Sequence, residues 1–268
     1  MKLSLFDAEK KIYGDKELPV QFSEEYRPDL IRRAVHALQS AARQAYGADP
    51  EAGKKHSSRV SKRRRDWRGS YGFGISRVNR KILSHRGTRF GWVGDFSPQT
   101  RGGRRAHPPK AMKVLEQKIN TKENQKAIRS AMSATVNKEL VSARGHKLPS
   151  EYPFILSSKV ESLDKTKDVT KLLLTLGFEK ELDRSAEKKV RAGRGKARGR
   201  KYQRKKGILI VVGKECPLLK SGQNVPGVDV VQASGLNVSL LAPGTLPGRV
   251  TLWTENALEV INKEKLFI

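Results

Sequence analysis

The chain has 268 residues, enough for one large domain or two small ones with a sizeable core. Its 55 Lys and Arg against 27 Asp and Glu give a formal charge of +28 at pH 7, which exceeds what solubility needs and predicts a polyanionic partner. Apolar runs such as residues 208–212 are too short to span a bilayer, and residues 1–6 lack the apolar core of a signal peptide. We therefore expect a cytoplasmic protein, and DNA, RNA and an anionic membrane surface all remain possible partners.

The N-terminal part of the chain predicts strands and then a helix. Residues 2–6 alternate as a short strand, and residues 12–20 form a further extended piece or a hairpin. Pro28 suits the first turn of a helix, and apolar residues recur at helical spacing as far as Ala45. Gly47 is the predicted end of this helix.

A second long helix is predicted to open at Asn120, whose cap is paired with Glu123 three residues later. Its buried stripe runs from Ala127 to Leu140, and Gly145 ends it. Connections in compact domains have a median of roughly 4 to 6 residues. The long stretch of residues 54–110, which lies between these two helices, is therefore predicted to be functional or disordered.

The second half of the chain alternates strands and helices. Strands are predicted at residues 154–156, 208–212, 228–231 and 250–253. Helices are predicted at residues 169–176, 236–241 and 255–261, the last capped by Thr254. Continuous β-branched runs suit strands covered on both faces. We predict an α/β fold in which a single globular domain has a mainly parallel sheet flanked by helices, plus a long extended internal loop.

Two segments carry almost all of the net charge. Residues 54–110 hold 17 Lys and Arg against two Asp, and residues 184–206 hold 12 against one Glu. The remaining 188 residues hold 26 basic and 24 acidic side chains. Both segments interleave Gly with Arg, so the backbone can approach phosphates that the guanidinium groups bind. Neither shows an apolar face at helical or strand spacing, and the alternative is a solvated, disordered run.

The motifs of small-molecule chemistry are missing. Cys216 is the only cysteine, so no internal disulfide can form, and the scattered histidines predict no metal site. Gly193, Gly195 and Gly199 miss the dinucleotide fingerprint by one residue and precede a strand instead of following one. Carboxylates that could act as acid and base are nearly absent from both basic segments. We expect no cofactor, no metal and no catalysis.

Aromatic residues accompany the charge in the first segment. They could stack on unpaired bases or riboses, or they could pack on one another. These residues are Trp67, Tyr71, Phe73, Phe90, Trp92 and Phe96.

Several stretches carry a family resemblance. Residues 102–110 read Gly-Gly-Arg-Arg-Ala-His-Pro-Pro-Lys, and residues 191–202 read Arg-Ala-Gly-Arg-Gly-Lys-Ala-Arg-Gly-Arg-Lys-Tyr. Residues 128–131, 208–211, 241–244, 247–249 and 253–255 continue the pattern. With these features in this order, the chain resembles the universal large-subunit ribosomal protein L four family, in its archaeal and eukaryotic form, over essentially its whole length.

The resemblance implies a structural component of the large ribosomal subunit that supports subunit assembly and translation. Residues 1–53 and 111–268 would form the globular domain, residues 54–110 an inserted loop that penetrates RNA, and residues 184–206 a second RNA-binding segment. The implied partners are large-subunit ribosomal RNA, neighbouring large-subunit proteins and the nascent peptide at the loop tip, with no membrane and no homo-oligomer. The chain would reside in the cytoplasm, within the large subunit.

The predicted RNA contacts and the predicted tip follow from the same resemblance. The RNA contacts are Lys54, Lys55, Arg59, Lys62, Arg63, Arg64, Arg65, Trp67, Arg68, Arg86, Arg89, Arg101, Arg104, Arg105, His107, Lys110, Arg191, Arg194, Lys196, Arg198, Arg200, Lys201 and Arg204. The tip, which would help line the peptide exit tunnel, comprises Tyr71, Gly72, Phe73, Gly74, Ile75, Ser76, Arg77, Val78, Asn79 and Arg80.

Two other classes of function remain as alternatives. A nucleic-acid-modifying enzyme would bind a nucleotide on its sheet while the basic segments hold RNA. A DNA-compacting or chaperone-like basic protein would show little preference for RNA and no fixed stoichiometry.

Overall fold

The computed structural model describes residues 1–268, with ten strands and eight α-helices. The strands are β1 (Lys2–Phe6), β2 (Ile12–Glu17), β3 (Arg80–Arg86), β4 (Arg89–Gly94), β5 (Ile155–Leu156), β6 (Lys188–Val190), β7 (Tyr202–Arg204), β8 (Leu209–Val212), β9 (Asp229–Gln232) and β10 (Thr251–Thr254). The helices are α1 (Pro28–Ala41), α2 (Thr121–Val136), α3 (Lys138–Ala143), α4 (Thr166–Thr175), α5 (Glu179–Ala186), α6 (Leu218–Gln223), α7 (Val238–Leu241) and α8 (Glu255–Lys263). They belong to two compact units, one formed by Met1–Ala42 with Glu116–Ile268 and the other by Arg43–Leu115.

A six-stranded sheet lies at the centre of the larger unit, in the order β2-β1-β5-β10-β8-β9. Only the β1–β2 pair is antiparallel, and the other four pairings are parallel. All four residues of β8 and all four of β10 are buried. This burial confirms the prediction that the β-branched runs form strands covered on both faces. The mainly parallel α/β sheet flanked by helices is confirmed with it.

The two faces of the sheet contribute to separate hydrophobic clusters because successive side chains of a strand point in opposite directions. On one face, Val211 and Trp253 lie in a cluster with buried residues of α1, α2 and α8. On the other, Ile210 and Leu252 lie in a cluster with buried residues of α4 and α6. The core of the larger unit is therefore two layers of helices around one sheet.

The two predicted long helices end earlier than the apolar pattern indicates. Helix α1 stops at Ala41, four residues before Ala45, and residues 41–50 are exposed. The second predicted helix is in fact two, because Asn137 adopts an extended conformation between α2 and α3. Its side-chain oxygen accepts hydrogen bonds from Glu139 N and Leu140 N, so the polar side chain replaces the helical backbone bond.

The capping box predicted at the start of α2 does not form. Asn120 occupies the N-cap position, but its side chain makes no capping hydrogen bond. Glu123 instead forms an ion pair of 2.8 Å with Arg33 of α1. At α8, by contrast, the predicted cap is confirmed, since Thr254 Oγ1 accepts a hydrogen bond from Ala257 N.

Two short antiparallel hairpins occur in the basic segments, where no strand spacing was expected. In the unit Arg43–Leu115, β3 pairs with β4, and Phe90 and Trp92 alternate with exposed residues along β4. In the larger unit, β6 pairs with β7. The expectation that neither segment has an apolar face is therefore wrong for β4, whose Gly and Arg neighbours hide a two-residue period.

Buried Glu161 joins the ends of two central strands. Its carboxylate accepts hydrogen bonds from Gly213 N just after β8, from Thr254 Oγ1 at the end of β10, and from Asn256 Nδ2. Glu161 itself is 8 % exposed and has no cationic partner within ion-pair distance.

Removing this acceptor should destabilise the sheet. We expect Glu161→Ala to lower the free energy of unfolding by about 3 kcal/mol, because buried donors lose a charged acceptor. Urea denaturation followed by circular dichroism measures the change. The control Glu215→Ala removes an exposed carboxylate and should cost at most about 0.5 kcal/mol. Equal stability of the two variants would contradict the role of Glu161.

Candidate nucleic-acid interface

The segment 188–204, here called the basic hairpin, is a small self-contained element of the larger unit. Lys188 pairs with Arg204 and Val190 with Tyr202, and Arg191 N donates to Lys201 O at 2.8 Å. A 3-10 turn over Arg194–Arg198 connects the two strands. Glycines flank this turn at φ of +79°, a backbone region that strains any L side chain. The glycines between the arginines therefore allow the chain to reverse its direction.

The outer cations of the basic hairpin have no acidic partners. Glu187 pairs with Lys205 at 2.9 Å and approaches Lys189 at 3.9 Å, at the base of the hairpin. No carboxylate lies within 4.0 Å of the exposed cations farther out. These are Arg194, Lys196, Arg198, Arg200, Lys201 and Arg204. Such a set of unneutralised guanidinium and ammonium groups is suited to a polyanion.

A buried carboxylate fixes the base of the basic hairpin. Glu181 accepts from Arg184 at 2.6 and 2.8 Å and from Lys147 N at 2.9 Å, and it lies 2.7 Å from His146 Nδ1. Arg184 also donates to Lys206 O at 2.8 Å, just beyond the hairpin. Helix α5 is thereby hydrogen-bonded to the connection between the basic hairpin and β8.

Burial and hydrogen bonding oppose each other at this site. Burial raises the pKa of Glu181, but the bonds from Arg184, His146 and Lys147 N outweigh it and hold that pKa at about 2. Burial also lowers the pKa of His146, more than the Glu181 carboxylate raises it. Glu181 is therefore ionised at neutral pH.

A second buried ion pair holds the segment that follows. Arg249 is 1 % exposed and donates to Gly207 O at 2.8 Å, to Leu240 O at 3.0 Å and to Asp229 at 2.5 Å. Asp229 also pairs with Lys206 at 3.0 Å. Burial lowers the pKa of Arg249, and Asp229 partly offsets this. Arg249 is therefore an internal cross-link and presents no free cation to a ligand.

Arg144 is a cation that sequence reasoning missed. It is half-buried, Nη2 donates to Pro243 O at 2.6 Å, and buried Nη1 has no partner. Burial and the neighbouring cations Arg249 and Arg184 lower its pKa to about 10. No carboxylate neutralises it within 4.0 Å. Nothing in its sequence surroundings distinguishes it, because its neighbours come from distant parts of the chain.

The smaller unit, Arg43–Leu115, closes where its two ends meet. Ala48 N donates to Pro109 O at 3.0 Å, and a Cβ at Gly47 would lie 2.3 Å from Ala111 N. Only glycine fits at this crossing. Farther along, isolated bridges join Arg59 to Arg80 and Ser61 to Gly69.

The aromatic residues of the smaller unit form two separate groups. Phe90 stacks on Trp92 with centroids 5.1 Å apart, and Trp67 meets Phe90 edge-on at 5.5 Å. Phe73 contacts Trp92 at 6.2 Å. Phe96 belongs to the other group, 5.3 Å from His56. Trp67 and Phe73 are nevertheless 55 % and 57 % exposed, so each ring can pack on its aromatic neighbours and still stack on a ligand.

The predicted tip is a turn that ends where β3 begins. Gly72 and Gly74 adopt positive φ, and no atoms occupy the space where their side chains would be. The guanidinium of Arg77 lies 4.8 Å over the Tyr71 ring. Arg80 Nη2 donates to the carbonyl and hydroxyl of Ser76 at 3.0 Å each.

Most of the predicted RNA contacts are exposed, and three of the arginines are half-buried. Those three are Arg68, Arg104 and Arg191. Lys55 already has an acidic partner, Asp49, at 2.6 Å. Nowhere in the structure do three or more His, Cys, Asp or Glu side chains lie close enough together to hold a metal ion. None of its helices combines the length and apolar character that crossing a bilayer requires.

Acid should loosen the base of the basic hairpin. The folded-state pKa of Glu181, about 2, lies below its ordinary value of 4.5, so its stabilisation is complete above pH 4.5 and is lost as pH falls toward 2. Glu181→Gln should lower the melting temperature at pH 7 and flatten its decline between pH 4.5 and pH 2. Calorimetry at a series of pH values tests this. Glu179→Gln, an exposed carboxylate of the same helix, should retain the full decline.

Comparison with known proteins places these features in a family. The Ribosomal protein L4/L1 family matches residues 16–264. Large ribosomal subunit protein uL4 of Nanoarchaeum equitans is 50% identical over 268 residues, which cover 100% of both chains. The proteins of the same name from Archaeoglobus fulgidus and Methanococcus maripaludis are each 44% identical, covering 98% of this chain and 99% of their own. The chain therefore belongs to the ribosomal protein L4/L1 family.

Proposed function

We propose that this chain is a structural component of the large ribosomal subunit and binds large-subunit ribosomal RNA through residues 54–110 and the basic hairpin. Its family and its full-length relatives, named as large ribosomal subunit proteins, support a structural and non-enzymatic role in translation. As part of that particle the chain is cytoplasmic, and its partners are ribosomal RNA and other ribosomal proteins. The observation that carries the proposal is the set of exposed, unneutralised cations on the basic hairpin.

The form of these cations suits folded RNA. The sugar-phosphate backbone is the most accessible part of an A-form helix, and proteins recognise it mainly by shape and phosphate contacts. The basic hairpin presents its arginines on a short 3-10 turn. It has no α-helix that could enter a groove and contact base edges. Such a surface binds backbone and provides little sequence readout.

Residues 54–110 are proposed to penetrate the RNA, while residues 1–53 and 111–268 form the globular domain. The boundaries 54 and 110 lie inside the smaller unit, Arg43–Leu115. Residues 67–94 contain no Asp or Glu, so this part of the chain can lie among phosphates without repulsion. We further propose that the tip, residues 71–80, helps line the exit tunnel and meets the nascent peptide.

The two alternatives have less support. A nucleic-acid-modifying enzyme is disfavoured by family membership, since the family is structural. A DNA-compacting protein would have no reason to confine its net charge to two segments and leave the other 188 residues with 26 basic and 24 acidic side chains. This nearly neutral remainder of the chain is instead suited to contacts with other proteins.

Neutralising the basic hairpin should weaken attachment to the particle. We expect the wild-type chain to stay with the large subunit at one copy per particle through a high-salt sucrose gradient. A variant with Arg194, Arg198, Arg200 and Arg204 changed to Gln should dissociate at lower salt. For isolated RNA, the slope of log affinity against log salt should fall by roughly 0.7–0.9 for each phosphate that the variant no longer neutralises.

A matched control separates specific contacts from total charge. Changing Lys11, Lys16, Lys126 and Lys263 to Gln removes the same charge from lysines that already pair with carboxylates. This control should dissociate close to the wild-type salt concentration. Equal sensitivity of both variants would contradict a specific role for the basic hairpin, and release of the wild type would contradict the structural role itself.

The tip should lie within reach of a nascent peptide. A photoreactive amino acid at position 73, where Phe73 is exposed, should cross-link to a peptide stalled in the tunnel. The same group at position 246, where Leu246 is exposed in the larger unit, should give no cross-link. Cross-linking from neither position, in particles that contain the protein, would contradict a tunnel-lining tip and leave RNA binding untouched.

A further inference from the structure

A cleft of about 660 Å³ opens within the smaller unit, between residues 57–68 and the strands β3 and β4. Five cations line it, and none has a carboxylate within 4.0 Å. They are Arg59, Lys62, Arg63, Arg68 and Arg80. The single acidic residue of the lining, Asp66, accepts a hydrogen bond from Ser61 Oγ at 2.5 Å and ties the wall together. The cleft is thus concave and strongly positive, which is a recurring property of anion sites.

Two of these arginines have buried donors that no protein atom satisfies. The Nε atoms of Arg68 and Arg80 are both buried without a hydrogen-bond partner. The other end of the Arg80 guanidinium is fixed, because Nη2 donates to Ser76 O at 3.0 Å. A buried donor on a charged group is costly when it is left unpaired. Both donors belong to guanidinium groups that line the cleft, and phosphate oxygens match guanidinium donors in geometry.

Aromatic rings form the rest of the lining. Trp67 and Trp92 both line the cleft, and the guanidinium carbon of Arg68 lies 4.3 Å from the Trp67 ring centroid. Phe90 stacks on Trp92 from outside the lining, with an angle of 24° between the rings, and also meets Trp67 edge-on at 5.5 Å. The two indoles are therefore held in place. More than half of the Trp67 surface is still exposed and free to contact a ligand.

Taken together, a flat aromatic surface beside unpaired guanidinium donors matches one nucleotide: a base to stack and a phosphate to bind. We propose that this cleft binds a single unstacked nucleotide of the RNA, with its base against Trp67 and its phosphate between Arg68 and Arg80. The inference rests on the proposed function, since it names what one part of the RNA-binding surface recognises. A base inside an A-form helix could not reach the Trp67 ring, so the nucleotide must come from a bulge, a loop or an end.

Two RNA hairpins that differ only in one unpaired uridine test the proposal with the full-length chain. We expect the bulged hairpin to bind about tenfold more tightly, in line with the strength of base stacking on aromatic side chains. Trp67→Ala should abolish this preference, so that the variant binds the two hairpins with equal affinity. Trp67→Phe should retain most of it, because a phenyl ring still stacks. Fluorescence anisotropy of labelled RNA gives both affinities.

Two controls keep the outcomes distinct. Tyr71→Ala removes an exposed aromatic ring outside the cleft and should retain the preference, and circular dichroism verifies that each variant is folded. Equal binding of both hairpins by the wild type, or a preference that survives in Trp67→Ala, would overturn the nucleotide cleft. Either result leaves the proposed function standing. Failure of the wild type to bind either hairpin would count against RNA binding by the isolated chain as well.

Discussion

The two basic segments must adopt an ordered structure despite the mutual repulsion of their cations. Residues 54–110 and 184–206 hold 29 Lys and Arg against three carboxylates, so most of their cations cannot form a salt bridge within the segments. Other contacts take that place: backbone pairing in the β3–β4 and β6–β7 hairpins, glycines at positive φ, and stacked aromatic rings such as Phe90 and Trp92. These contacts order the two segments and leave their cationic side chains free to bind a polyanion.

The larger unit uses its buried charges differently. Arg184 with Glu181, and Arg249 with Asp229, are hydrogen-bonded within the protein. Arg184 also donates to Lys206 O, the last residue of the 184–206 segment, and Arg249 donates to Gly207 O just after it. Buried ion pairs add little net stability, because desolvation offsets their attraction. Their contribution here is positional, since they fix the point from which the basic hairpin emerges. Glu161 acts likewise between β8 and β10.

The fold was predictable wherever the apolar pattern decides the structure. The strands β8 and β10 and the cap at Thr254 follow from β-branched runs and a single hydroxyl. The prediction failed at Asn137, where a side-chain hydrogen bond divides one apolar stripe into two helices. It missed β4, whose packing face consists of only Phe90 and Trp92 among Gly and Arg. Hairpins of this kind are stabilised by cross-strand contacts, which no local periodicity reveals.

For the candidate interface, the sequence by itself determined where the charge lies, and its motifs predicted the family that the full-length comparisons confirm. Only the tertiary structure decided which cations are free. Arg249 donates hydrogen bonds to Gly207 and Asp229, whereas Arg144 and Arg68 each have a buried donor without a hydrogen-bond partner. The physical reason is that the partners of a cation are set by neighbours in space: Arg249 and Gly207 lie 42 residues apart in the chain and 2.8 Å apart in the fold.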